Sequence, residues 1–279
     1  MSATIKLPRH LRFNDQGSIS FEPILTCLDW SLESQGVEID LSTCEDAINF
    51  QALSLIIPYC RELRANGCYV EFLHSENSHK MWNTMGASGW SQVLSVPHEN
   101  FRSSYSKPLT AIRSPTDFKL ALSKSESYAK NFDIEYEKTL RYVLSEILYN
   151  TMEHGKAYRA STGDQHARIP SVMQFNWYRK SNSIKFIVAD LGIGVKRHLE
   201  QAYPGCDSDA DALLKAIQPQ VSGTFGHSGN YTGKDNAGMG LYKSSNIMQR
   251  LRAQMYIVSG EGLLHISPKD ITTKRLDSG

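Results

Sequence analysis

Three groups of residues in the second half of the chain have types and spacings suited to phosphate chemistry. Glu146, Asn150 and His154 recur at i, i+4 and i+8, so on a helix they line one edge. A carboxylate there can take a proton from water or a hydroxyl, and an amide oxygen one turn on can ligate a hard cation such as Mg²⁺. The same pattern also fits a solvated helix flank. Asp190 ends the apolar run Ile187-Val-Ala and is followed by Gly192 and Gly194. A carboxylate at a strand end can accept a hydrogen bond from an exocyclic amine such as that of adenine, and the glycines let the backbone turn and approach a flat ligand. A plain strand followed by a glycine turn would read the same way. The third group is Gly223 to Gly240, which holds six of the 19 glycines and ends in Asn236-Ala-Gly-Met-Gly-Leu241. This composition predicts a flap running into a helix, whose exposed N–H groups bind phosphate oxygens. A surface linker is the plainer alternative. The spacings of the Walker loop and of the dinucleotide-binding turn are both absent.

These residues need particular elements to hold them. Thr116 to Gly155 reads as two helices separated near Asn131 to Ile134. On the second, Leu140, Val143, Leu144, Ile147, Leu148 and Thr151 share a face beside the polar edge. Ser171 to Tyr178 and Ile184 to Ala189 read as strands, Ala210 to Ile217 and Leu241 to Arg252 as helices, and Ala253 to Val258 with Gly262 to Ser267 as a closing strand pair. The second half is thus expected to be a layer of helices on an antiparallel sheet. The stretch Lys269 to Leu276 reads as a frayed, solvated end.

In the first half, Gly36 to Leu41, Phe50 to Arg64 and Gly67 to Leu73 predict strand, helix and strand. Asn66-Gly67 supplies the helix stop, and Arg61 and Arg64 sit at the negative end of the dipole. Ser75 to Trp90 predicts a further helix. Ser95 to Ser114 is broken by prolines and serines and reads as loop. We place a domain over 1–100, a linker and leading helix over 101–130, and a second domain over 131–279.

Composition narrows the function classes. The 279 residues carry 30 Lys+Arg against 29 Asp+Glu, a net charge of +1, so no global basic field exists for nucleic acid or an anionic membrane. Hydrophobic residues at 41% and charged residues at 21% describe a globular chain. The first 17 residues hold no continuous apolar stretch, and Ala52 to Cys60 is too short to span a bilayer. The five cysteines form no C-x-x-C pair, and the nine histidines are scattered without a metal-type cluster. The chain reads as cytoplasmic, with membrane partners excluded and nucleic acid disfavoured.

Glu146-x-x-x-Asn150-x-x-x-His154-Gly155, Asp190-x-Gly192-x-Gly194 and Gly238-x-Gly240-Leu241, in this order, resemble the N box and two glycine boxes of the GHKL ATPase superfamily. That group includes gyrase, MutL and the histidine kinases. The His-Gly ending of the first box is most similar to the anti-sigma-factor serine kinases. The resemblance covers roughly Thr116 to Ser267. It implies a Bergerat-type two-layer α/β sandwich that binds ATP and Mg²⁺. Asn150 would ligate the Mg²⁺, Glu146 would activate the attacking hydroxyl or water, and Asp190 would recognise adenine. Gly192 and Gly194 would shape the adenine pocket, and Gly238, Gly240 and Leu241 would form the hinge at the phosphates. His154 and Thr232, with Lys234 and Asn236, would lie near the triphosphate. Val37 to Ser42, the helix from Phe50 and the strand after Gly67 resemble a STAS domain, without the usual serine at the helix start, since Ile48-Asn-Phe-Gln-Ala-Leu53 stands there. This implies an α/β docking or dimerising module. The expected function is ATP hydrolysis or γ-phosphoryl transfer to a serine of a protein partner, with a nucleotide-gated interaction switch as the alternative. Assembly of two copies stays open. A histidine kinase is less expected, because Ser95 to Ile134 offers only His98 in a proline-flanked loop, and so is a gyrase-like remodeller, which would need a transducer domain after Ser267.

Overall fold

The computed structural model describes residues 2–15, 18–19, 21–44, 49–86, 108–112, 114–129, 134–154, 171–178, 181, 183–221 and 240–276. They form a mixed α/β structure with small sheets. The chain divides into two compact units that interleave in sequence. Unit 1 takes Met1–Tyr128 and Lys156–Leu191, and unit 2 takes Ala129–Gly155 and Gly192–Ser278.

Unit 1 contains a parallel sheet of β1 (Ser2–Lys6), β4 (Gly36–Leu41) and β5 (Tyr69–His74), with β4 central. Val37 pairs with Val70 and Ile39 with Phe72, so one face carries the apolar residues of all three strands. The short strands β2 (Asn14–Asp15) and β3 (Ser18–Ile19) and the short helix α1 (Glu22–Leu25) fill the connection from β1 to β4.

Helix α2 (Phe50–Ala65) covers the apolar face. Asn49 caps it, its side chain accepting from the Ala52 N–H at 2.7 Å, a contact worth about 1 kcal/mol in typical helices. At the other end Gly67 takes φ +80°, and the Cys68 and Gly67 N–H groups donate to the Leu63 and Arg64 carbonyls, which is the Schellman ending the Asn-Gly pair predicts. Leu53, Ile56, Ile57, Tyr59, Cys60 and Leu63 are at most 3% exposed, so the helix is buried on nearly every side. A helix is enclosed in this way only when two layers cover it. The second layer is an antiparallel sheet of β6 (Leu109–Ile112), β7 (Ser171–Tyr178) and β8 (Ser183–Ala189), with β7 central and packed on α2. Gln51 Nε2 of α2 donates to Gln174 Oε1 of β7 at 2.9 Å, and the Tyr178 hydroxyl donates to Gln51 Oε1 at 3.3 Å. Strand β6 corrects the loop expected over Ser95 to Ser114, because Leu109–Ile112 is fully buried and pairs with Ser171–Gln174.

Helix α3 (Glu76–Met85) is capped by Ser75 and ends at Gly86 with φ 91°. Helix α4 (Pro115–Ala129) places Lys124 Nζ 2.8 Å from Thr110 Oγ1 of β6, and burial pushes that ammonium's pKa down to about 8.

Unit 2 holds α5 (Ile134–His154), α6 (Gly194–Glu200), α7 (Asp209–Ala216) and α8 (Gly240–Arg250), with an antiparallel sheet of β9 (Met255–Ser259), β10 (Gly262–Ile266) and β11 (Ile271–Arg275). Leu213 of α7 packs on Leu264 and Ile266, with Val195, Met255 and Ile257 around them. The β9–β10 turn is two residues long. Its Gly260 sits at φ +56°, and the following Glu261 N–H donates to Asp209 Oδ2 at the start of α7. Strand β11 corrects the frayed end expected over Lys269 to Leu276. It pairs with β10 throughout, Arg275 bonds Glu261 at 2.6 Å, and Leu276 is 4% exposed. Among the described residues no helix is long and apolar enough to cross a membrane.

Candidate functional site

Helix α5 forms from the periodicity read in the sequence. Leu140, Val143, Leu144, Leu148 and Thr151 are buried on one face, while Glu146 and Asn150 stand half-buried beside it. His154 is the last helical residue; the placement of its side chain lies outside the described residues. Helix α5 packs against α8, across a long separation in sequence.

Two residues of the candidate set meet at this packing. Gly240 opens α8, and the position a Cβ would take there is already occupied by Glu146 Oε2, with Glu146 Cδ at 3.4 Å and Cβ at 3.7 Å. The absence of a side chain at Gly240, and not its backbone angle, is what lets the carboxylate sit there. Asn150 follows one turn further along α5. Leu241, the next residue of α8, packs against the cluster of Leu199, Ala212 and Ala216, with Val195 and Tyr203 beside it. That contact fixes where α8 begins.

Gly194 has a different reason to be glycine. It starts α6 at φ +78°, and an added Cβ would lie 3.2 Å from Ser259 Oγ. Ile193 precedes it without a capping side chain, so the first turn of α6 is capped from elsewhere: the Val195 N–H donates to Ser259 Oγ at 2.8 Å. Ser259 is a residue the sequence did not single out, since its partner lies 64 positions away and no local signal marks such a cap. Gly192 is half-buried in the bend before α6. Asp190 is exposed and directly follows β8, at the end of the unit 1 segment. Thr232 and Gly238, with Lys234 and Asn236, lie outside the described residues, as does Gly155.

Beside Glu146 on α5 is Tyr142. Burial raises its phenol pKa, and the Glu146 carboxylate raises it further. Among the described residues no group of three His, Cys, Asp or Glu side chains could hold a metal ion. In unit 1, Glu76, His79, Lys80, Asn83 and Thr84 line a shallow cleft of 440 Å³. All five lie on one face of α3, and His79 is engaged with Asn83. His74 beneath them is pushed down to about 4 by burial and then by His79, which leaves it neutral at pH 7.

Comparison with known proteins gives no match: neither a protein-family model, nor a curated protein, nor a solved structure matches the chain.

Proposed function

We propose that the second half of the chain is a GHKL-type site that binds ATP with Mg²⁺ and transfers the γ-phosphoryl group to water or to a serine of a protein partner. One observation carries the reading. Residues of the first and last motifs, Glu146 and Gly240, meet where α5 packs on α8. A flank of merely solvated charges has no need of a carboxylate seated against the glycine that opens another helix.

In this reading Glu146 takes the proton of the attacking hydroxyl as its oxygen bonds to the γ-phosphorus and the bond to the ADP oxygen breaks. Asn150 offers its amide oxygen to the cation. A bound Mg²⁺ would neutralise charge on the phosphates. Leu241 anchors the start of α8, so the amides of its first turn face the phosphates as a fixed array. Asp190 is the proposed acceptor for the adenine amine. Gly192 and Gly194 are proposed to shape the base pocket and Gly238 to complete the hinge, with Thr232 and His154 toward the phosphates. The first half is proposed as a STAS-like docking module, a reading supported by the parallel β1-β4-β5 sheet with α2 and α3 against it. A cytoplasmic setting and assembly of two copies belong to the same proposal.

The test is nucleotide affinity and phosphate release measured together on the full chain. Asn150→Ala is expected to lose Mg²⁺-dependent ATP binding. Glu146→Ala is expected to keep binding and lose roughly 10²-fold or more in release. Binding without release in the unaltered chain makes the site a nucleotide-gated switch or a kinase awaiting its acceptor. No binding at all sinks the reading.

A further inference from the structure

Tyr142 is not used by the chemistry proposed above. It precedes Glu146 by one helical turn and so lies on the same edge of α5. Its hydroxyl oxygen is enclosed and closes no hydrogen bond of normal geometry. The Glu146 carboxylate is nonetheless close enough to act on the phenol electrostatically. Donor and acceptor are therefore neighbours: Glu146 acts on the phenol through hydrogen bonding as well as through its charge, while the contact falls outside normal hydrogen-bond geometry. The same carboxylate also lies against Gly240.

An enclosed hydroxyl without a partner is costly, and an O–H···O⁻ bond is among the stronger ones available to it. The terminal torsion of a glutamate is broad, so an untethered carboxylate samples many orientations. We propose that Tyr142 is a positioning residue for Glu146, its hydroxyl donating to the carboxylate and holding it in one orientation against Gly240. The phenol keeps its proton, because burial and the neighbouring negative charge both favour the neutral form. The consequence for turnover rests on the ATP reading, whereas the pairing does not.

The experiment has two arms on the full chain. In the first, tyrosine is labelled with carbon-13 at Cζ, and the Tyr142 resonance is identified by its loss in Tyr142→Phe. Glu146→Gln is expected to shift that resonance at neutral pH. In the second, Tyr142→Phe is expected to keep ATP affinity within about twofold while phosphate release falls about tenfold. A merely structural tyrosine would not divide binding from turnover in this way. A resonance unmoved by Glu146→Gln overturns the pairing whatever the turnover. A resonance that moves, beside a Tyr142→Phe chain that releases phosphate at the unaltered rate, overturns the positioning role. If the unaltered chain binds no ATP, the nucleotide reading alone fails, and the resonance still decides the pairing.

Discussion

Replacing Gly240 by alanine sets two effects against each other, and the geometry says which one matters. On helix propensity alone the change favours α8 by about 0.5–1 kcal/mol, because alanine loses less backbone entropy. Against this, the new Cβ lands on Glu146 Oε2. Overpacking in a core commonly costs ~1–3 kcal/mol, but that range assumes neighbours that cannot yield. Here the obstructing atom is the end of a side chain, and the atoms behind it, Cδ at 3.4 Å and Cβ at 3.7 Å, are at tolerable distance. Turning the carboxylate about its last torsion relieves the clash at little cost. Gly240→Ala is therefore expected to leave stability within about 1 kcal/mol while displacing the carboxylate from its seat. The denaturation midpoint, followed by circular dichroism, should hardly move. If Glu146 is the base as proposed, phosphate release should fall roughly 10-fold or more, since a base displaced by even an ångström loses much of its effect. A loss of stability of more than about 2 kcal/mol would show that the neighbourhood cannot yield. Unchanged turnover in a chain that hydrolyses ATP would refute the claim that the seat of Glu146 matters.

Gly262→Ala provides the contrast: its Cβ would lie 2.7 Å from the Asp209 carbonyl carbon and 2.8 Å from the Ala210 nitrogen, both backbone, so a loss of ~2–4 kcal/mol is expected in urea denaturation. In unit 1, Gln174→Ala should cost ~1–3 kcal/mol by stranding the enclosed Gln51 amide, and Gln51→Leu combined with Gln174→Leu should cost less than the two single changes summed, as a double-mutant cycle would show. Lys124 has a folded pKa of about 8, below the ordinary value near 10.4, so between those values the unfolded chain binds more protons and this group's contribution to stability rises with pH. Urea midpoints at pH 8 and pH 10 should differ in that direction, and the difference should shrink in Lys124→Met.

The elements that could be read from sequence are those with their own periodicity or stop signal. Helix α5 declared itself through Leu140, Val143, Leu144 and Leu148, and α2 through its apolar run and Asn66-Gly67. Strands β6 and β11 did not. Leu-Thr-Ala-Ile is four residues behind a proline-rich stretch, and Ile-Thr-Thr-Lys-Arg is held by ladder bonds to β10 instead of by apolar burial. Strand β1, Ser-Ala-Thr-Ile-Lys, offers one buried residue and was equally silent. Within the candidate site, Glu146 and Gly240 were each legible from spacing, but their contact was not, because it depends on how two distant helices pack. The near-complete burial of α2 hints at a second covering layer, yet a single sequence does not name β7 as that layer.

The interleaving of the two units bears on how the chain leaves the ribosome. Unit 1 cannot be completed until Leu191 has been synthesised, since β7 and β8 supply one of the two layers over α2. Helix α5 is finished at His154, whereas its partner α8 starts only at Gly240. At roughly 5–20 residues per second the intervening stretch takes on the order of 5–15 s. Throughout that interval α5, with its stripe of Leu140, Val143, Leu144 and Leu148, waits for the helix of its own unit that packs on it. The nascent chain thus carries a sticky helix for seconds, which makes it a natural client for a chaperone that binds apolar segments. It also means that no single cut in the gene yields either unit whole.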